Sequence, residues 1–380
     1  MTMKDRIEAG LMLASYLETI GFKNGIWEFK YGNRLNNINA VNLNLLNIIN
    51  EFLLLGGSSN IDITGWNASD DTILLIATGN AVIKANYEEH YIKSLPLLKE
   101  DKRYSGAIVL ESLYLLKRHE PISYNKNMGG NGAAMRTGPI GIWYKDEKKI
   151  IEESIYASRL THNYYIGYMG GVVSALFSAY ALNNVKPWMW IDKLLDLYNN
   201  KIFHLYFPKD HKIEQLDDYM NYWIKYKEIR LSKIKYKNTS ELFKSTNIKL
   251  ESLMSFNPST YIQNYVNNNE SLLDKNINWN SLGVTGIDSC IYAYDCLLNC
   301  MTTPNSNVLD FDNIIYSWDS FLINVAIHPG DSDTTACIGG LWYGLLLGYN
   351  GIDKKRMKQL EFYDELMIVV DKLSAAITTN

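Results

Sequence analysis

Apolar residues recur at three- and four-residue spacing along most of this chain, the period of a helix face turned toward a core. The pattern predicts helices over 7–21, 70–84, 150–160, 167–182, 188–198, 213–231, 289–300, 311–326, 331–347 and 354–376. Period-two alternation bounded by turn residues is nearly absent, so few strands are expected. The eight prolines fall mostly between the helical runs, where helices end. Two runs carry small residues in their interiors: Gly167, Gly170, Gly171, Ser174 and Ala175, then Gly339, Gly340, Gly344 and Gly348. Glycine inside a helix costs about 1 kcal/mol relative to alanine. Its repeated use marks helices that approach one another closely at the centre of a bundle. The expected fold is all-α, a compact multi-helix bundle in one domain over 1–380. Residues 232–282 are polar, rich in Asn, Lys and Ser and weakly periodic, and are expected to form a surface excursion that contributes to a lid or rim.

Composition narrows the class. With 380 residues, 47% of them hydrophobic and 21% charged, the chain can bury a large core and reads as an ordinary globular protein. A formal net charge of −4 argues against a nucleic-acid partner. No uninterrupted apolar stretch of membrane-spanning length is evident. The first eight residues include Lys4, Asp5, Arg6 and Glu8, which is not the order of a secretory signal. A cytoplasmic monomer without membrane contact is therefore expected. Cys290, Cys296, Cys300 and Cys337 have neither disulfide-scaffold nor zinc-site spacing and read as small buried residues in a reducing compartment.

Two acidic clusters stand far apart in the sequence. Ser69-Asp70-Asp71-Thr72 opens one helical run, and Gly330-Asp331-Ser332-Asp333-Thr334-Thr335 opens another. Each cluster alone reads equally as a helix cap, because Ser and Asp satisfy free N–H groups and complement the helix dipole. Together they offer the oxygen ligands that hard divalent cations require, enough for one or two Mg2+ ions. Four aspartates also outweigh the unfavourable dipole of two helix N-termini. The segment Gly129-Gly130-Asn131-Gly132-Ala133 is either a tight turn or a place where backbone N–H groups approach a phosphate. It is not a Walker A loop. His162 stands after a helix, either touching substrate or interacting with that helix's dipole. Asp288 reads equally as a cap or a ligand-side acceptor. Glu28 lies between Trp27 and Phe29, and core anchoring explains the aromatics without explaining the acid.

These segments, in this order, resemble the ADP-ribosylglycohydrolase family, and within it the ADP-ribosylarginine hydrolases. The likeness runs through Asn24-Gly25-x-Trp27-Glu28-Phe29, the first acidic cluster, and Gly130-x-Gly132-Ala133-Ala134-Met135-Arg136. It continues through Arg159-x-Thr161-His162, Gly167-Tyr168-x-Gly170 and Ala293-Tyr294-Asp295, and ends with the second acidic cluster and Leu360-Glu361. The resemblance implies an all-α fold with a binuclear Mg2+ centre. It implies a hydrolase that removes ADP-ribose from mono-ADP-ribosylated proteins or small conjugates. Ser69, Asp70, Asp71, Asp331, Asp333 and Thr334 would be the metal ligands. Residues 129–132 with Ala133 would face the diphosphate, and Gly106 a loop near the ribose and phosphates. Glu28 falls where the family has a mobile acid near the catalytic water or substrate.

The chain departs from the family at three places. Gly-Asp-Ala-Leu-Gly becomes Leu17-Glu18-Thr19-Ile20-Gly21, Thr-His-x-His-Pro becomes Thr161-His162-Asn163-Tyr164-Tyr165, and Gly-His-Asp-Ala-Pro becomes Gly286-Ile287-Asp288-Ser289-Cys290. The first bears on packing beneath the metal site, the other two on the leaving group. The expected reaction is cleavage of the N-glycosidic bond to arginine, with Asp70, Asp71 or Asp333 as base and Glu28 or Asp288 assisting the guanidine. The alternatives are ADP-ribosylserine or O-acetyl-ADP-ribose hydrolysis, and a catalytically silent ADP-ribose-binding module.

Overall fold

The computed structural model describes residues 1–29, 38–228, 282–302 and 314–377. Among them are sixteen helices. The first third holds α1 (Met3–Phe22), α2 (Ile38–Leu54), α3 (Gly57–Asn60), α4 (Asp70–Ala81), α5 (Tyr87–Leu98) and α6 (Ala107–Lys117). The middle holds α7 (Gly138–Trp143), α8 (Glu147–Arg159), α9 (Tyr165–Leu182), α10 (Trp190–Asn199), α11 (Ile202–Tyr206) and α12 (Glu214–Tyr226). The remainder holds α13 (Asp288–Asn299), α14 (Trp318–Ala326), α15 (Ser332–Leu347) and α16 (Tyr363–Ile377). Among the described residues strand is confined to the antiparallel pair β1 (Met301–Thr302) and β2 (Ile315–Tyr316) and to a bridge between Gly130 and Thr285.

Thr2 starts α1 with a reciprocal cap. Its hydroxyl accepts from the Asp5 amide, and the Asp5 carboxylate accepts from the Thr2 amide. Every residue from Ile7 to Phe22 is buried, so α1 has no solvent face after its first turn. Its main neighbour is α15, also buried almost throughout. The two backbones meet where α15 has no side chain: a Cβ on Gly344 would lie 2.3 Å from the Ala9 carbonyl oxygen. Gly344→Ala is therefore expected to push the helices apart and cost about 1–3 kcal/mol. A urea titration against the wild-type chain measures this, and an unchanged midpoint would contradict it.

α9 is the second central helix. It is 18 residues long with a mean hydropathy of 1.3, apolar and long enough by those measures to cross a membrane. This corrects the reading that no such stretch exists. All of it is buried against other helices, α7 and α8 foremost. Of the small residues in these two runs, Gly171, Gly339, Gly340 and Gly344 lie where helices touch, whereas Gly167 and Gly170 face the loops at 128–130 and 286 and Gly348 caps its helix.

Other boundaries moved. The run 354–376 is not one helix: Lys354–Gln359 is a 3-10 turn capped by Asp353, Leu360 is extended, and α16 starts at Tyr363. The break lets Glu361 reach Arg103. The run 311–326 contains β2 and becomes helical only at Trp318, where Ser317 accepts from the Ser320 amide. Of 213–231, α12 spans Glu214–Tyr226, and 229–231 lie outside the described residues. The excursion at 232–282 also lies outside them, apart from Leu282.

Candidate active site

The ends of α1, α4 and α15 meet at one place. α4 begins at Ser69, whose hydroxyl accepts from the Asp71 amide at 3.3 Å and donates to the Asp71 carboxylate at 3.1 Å. The first is an ordinary capping bond, and the second pins the buried Asp71 carboxylate at the start of the helix. α15 begins after Asp331, whose amide donates to the Leu282 carbonyl. The Asp333 carboxylate accepts from the Thr334 amide at 2.9 Å. His328 shapes the approach to this turn: the Gly330 amide bonds its Nδ1 at 3.2 Å and Thr335 Oγ1 lies 2.8 Å from its Nε2. The Phe29 amide donates to the Gly330 carbonyl, which brings Glu28 beside the second cluster. Lys23 and Trp27 both bond Glu51, and Asn24 accepts twice from Asn67, so the Glu28 segment is tied on both sides.

The result is a cavity of about 240 Å³ lined by Glu28, Asp70, Asp71, Asp331, Asp333 and Thr334. Gly106, Gly130, Asn131, Gly132 and His162 line it as well. Of the residues expected at the site, Ser69, Gly129, Ala133 and Asp288 stand behind this wall. Ser69 supports Asp71. The Gly129 carbonyl accepts from the Gly286 amide. Ala133 is buried and its carbonyl accepts from Thr137 Oγ1. The Asp288 carboxylate accepts from the amides of Gly283 and Thr285 at 2.7 and 2.8 Å and from the Thr285 hydroxyl, which fixes the loop opposite Asn131.

The glycine segment is stapled to the acids by Asn131. Its amide donates to the Val284 carbonyl, and its side chain donates to the Gly283 carbonyl at 2.7 Å and to Asp331 at 3.0 Å. All its donors are thereby engaged within the protein, leaving Gly130 and Gly132 as the bare backbone of that wall. No helix follows directly, because α7 starts only at Gly138. Instead the buried Arg136 guanidinium donates to the Gly132 carbonyl at 2.6 Å and to Thr161 Oγ1 at 2.7 Å. Thr161 Oγ1 in turn lies 2.7 Å from His162 Nδ1. Burial and the Arg136 charge hold the His162 pKa down at about 3. His162 is thus a neutral ring in the cavity wall and not a cationic partner of the helix dipole.

The electrostatics are lopsided. Burial first, and the charge of Asp333 next, push Asp70 up to about 7 and Asp71 and Asp331 well above the usual range. Glu28 is raised by burial, then by Asp333 and Asp331. Glu18, beneath Ser69, is pushed up to about 8 by burial. Asp71 Oδ1 is buried and meets no hydrogen-bond donor among the described residues. Among the described residues no group of three His, Cys, Asp or Glu side chains forms a ready-made metal cage. What the site holds is a set of neighbouring carboxyl groups, oxygen-only in chemistry, with one orphaned acceptor and too few cations. That donor set fits a hard divalent cation, whose charge would draw the carboxylates together.

A stability consequence follows. Acids with raised folded-state pKa values bind protons more tightly folded than unfolded, so their contribution to stability is lost as pH rises through those values. His162 and His328 are depressed to about 3, so their opposite contribution is complete above their unfolded value near 6.5. Between pH 6.5 and 8.5 the carboxyl effect leads, joined toward pH 8.5 by the buried cysteine thiols that burial also raises, and Tm in chelator is expected to fall. Mg2+ should flatten the fall by replacing the protons. Scanning fluorimetry reads both, and a Tm that stays level in chelator would contradict the cluster's electrostatics.

Sequence reasoning did not find Asn127, Tyr104 or Phe29, which also line the cavity. Tyr104 and Phe29 adopt left-handed backbone (φ 52° each) and are 61% and 51% exposed at its mouth, the Tyr104 ring packed edge-on against Phe22 at 5.6 Å. Core anchoring thus holds for Trp27 but not for Phe29, and of this stretch near Tyr104 only Gly106 was expected at the site.

Residues 26–380 match the family model described as ADP-ribosylglycohydrolase. A protein of Acanthamoeba polyphaga mimivirus named as an ADP-ribosyl glycohydrolase is 30% identical over 94% of this chain and 67% of its own length. ADP-ribosylhydrolase ARH1 of Dictyostelium discoideum is 30% identical over 94% of this chain and 91% of its own. A solved ADP-ribosylglycohydrolase-related protein complex superposes with a TM-score of 0.55 over 98% of this chain and 99% of that one. At 11% identity, it shares the fold.

Proposed function

The chain belongs to the ADP-ribosylglycohydrolase family, hydrolases of glycosyl bonds that act on ADP-ribosylated substrates, and we propose that it releases ADP-ribose from modified arginine on proteins with the help of Mg2+. The observation that carries this reading is the convergence of Glu28, Asp70, Asp71, Asp331 and Asp333 in one cavity beside Gly130 and Gly132. Asp70, Asp71, Asp331, Asp333 and Thr334, with the Ser69 hydroxyl once it turns from Asp71, would hold two Mg2+ ions, which when bound supply Lewis acidity and a template for water and the ribose hydroxyls.

The protein's own residues supply the rest. One of Asp70, Asp71 and Asp333 accepts the proton of the attacking water. The remaining carboxylates stabilise the positive charge that develops on the ribose during glycosidic cleavage. Glu28, buried beside Asp331 and Asp333, is the acid we assign to keep the departing guanidine protonated. The bare backbone at 130 and 132 lets the diphosphate approach, so binding far from the reacting carbon holds it in place. The cavity is smaller than the 300–1,000 Å³ typical of sites for drug-sized ligands. It accommodates the sugar end, while the nucleoside extends past the exposed rings of Phe29 and Tyr104.

The test is incubation with arginine-ADP-ribosylated protein and Mg2+, alongside serine-linked and O-acetyl substrates. Release from arginine is expected. Release only from serine or O-acetyl-ADP-ribose would transfer the activity to another leaving group, which Thr161-His162-Asn163 and Ile287-Asp288 leave open. Binding of ADP-ribose with no release from any substrate would make the protein a silent reader.

A further inference from the structure

Glu18 takes no part in the reaction as described, yet it is fully buried at the last turn of α1 with no ion-pair partner among the described residues. One carboxylate oxygen accepts from the Ser69 amide. The other lies 3.1 Å from Thr72 Oγ1 and 3.1 Å from Thr19 Oγ1. Ser69 in turn caps α4 and bonds Asp71, so Glu18 reaches the acidic turn through its backbone. Three residues further along the same helix, the Gly21 carbonyl accepts from Ser332 Oγ at 2.9 Å, at the start of α15. A single helix end therefore touches both acidic turns.

Resting on the cation site proposed above, we infer that Glu18 is a positioning residue: its carboxylate holds the Ser69 amide and the Thr72 hydroxyl so that Ser69, Asp70 and Asp71 stand in register with Asp331 and Asp333. The carboxylate acts from behind these residues and touches neither ion nor substrate. Support of this kind governs metal affinity through ligand orientation, and its loss typically weakens binding 10–100-fold.

The experiment is titration calorimetry of the full chain with Mg2+ and with Mn2+, paired with thermal melts in chelator. Glu18→Ala orphans the Ser69 amide and should weaken cation binding about 10–100-fold. Glu18→Asp retracts the carboxylate by one methylene and should fall with it. Glu18→Gln keeps an acceptor for Ser69 and a polar group for the two threonines, so it should bind within about threefold of wild type. This graded rescue separates positioning from bulk stability, since a structural role alone would lower Tm and leave the affinity of the folded variants unchanged. If Glu18→Asp and any folded Glu18→Ala bind as tightly as wild type, the inference is overturned and the cation site stands. If the wild-type chain gives no heat with either ion, the cation site itself is overturned and the role of Glu18 with it.

Discussion

Asp333→Asn is expected to cut the release of ADP-ribose by at least about 10³-fold, a loss of the size seen when a positioned acid or base is removed. The same substitution should raise the Tm of the ion-free protein. Asp333 is the first charge, after burial itself, behind the upward shifts of Glu28, Asp70, Asp71 and Asp331. Like charges this close disfavour the folded state, and an amide of the same size relieves them while keeping the acceptor for the Thr334 amide. The protein thus holds its acids together at a cost in stability, as functional sites commonly do. Activity within tenfold of wild type, or a Tm that drops in chelator, would show that Asp333 is not the electrostatic centre of the site. Turnover on arginine-linked substrate and scanning fluorimetry read the two effects separately.

Arg136→Met should cost about 2–5 kcal/mol, a large part of the 5–15 kcal/mol that a domain has. The side chain is wholly buried, stacks 4.7 Å from the Tyr91 ring centroid and donates to the Gly132 and Ala157 carbonyls and to Thr161. Methionine fills the volume but leaves these acceptors without a donor, at about 1–3 kcal/mol for each buried group so stranded. The loss should also reach the site. Gly132 would be free to shift, His162 would lose the Thr161 relay that orients it, and Asp70 would lose a nearby cation that lowers its pKa. KM should rise more than kcat falls, because the substrate wall loosens while the acids remain. Guanidinium melts and steady-state kinetics test both halves, and a stability loss below about 1 kcal/mol would contradict the role given to Arg136.

What was legible in the sequence follows from range. α1, α4, α9, α13 and α15 carry long apolar patterns, and each stands within a few residues of its expected place. α2, α3, α5, α6, α7 and α11 were missed because their local signals are poor: α2 is rich in asparagine, a weak helix former, and α3 and α11 have only four and five residues. α5 has Pro96 in its last turn, α6 begins at Gly106 without a side-chain cap, and α7 has only six residues. The run 354–376 broke in two because Leu360 is held extended where Glu361 meets Arg103, a contact between residues 258 positions apart. The two acidic turns were readable because each is a contiguous stretch with its own cap. What joins them was not: Asn131 bonds Asp331 across 200 positions, and Ser332 bonds Gly21 across 311. Asp288 had equal claims as cap and as ligand acceptor until the loop at 283–285 folded onto it.

The most direct measurement is anomalous diffraction from crystals soaked in Mn2+, which occupies Mg2+ oxygen sites and scatters strongly. The account predicts two peaks between the starts of α4 and α15, each within bonding distance of carboxylate oxygens from both acidic turns. Crystals saturated with Mn2+ that show no peak there, with the carboxylates of Asp70, Asp71, Asp331 and Asp333 where they stand without metal, would contradict it.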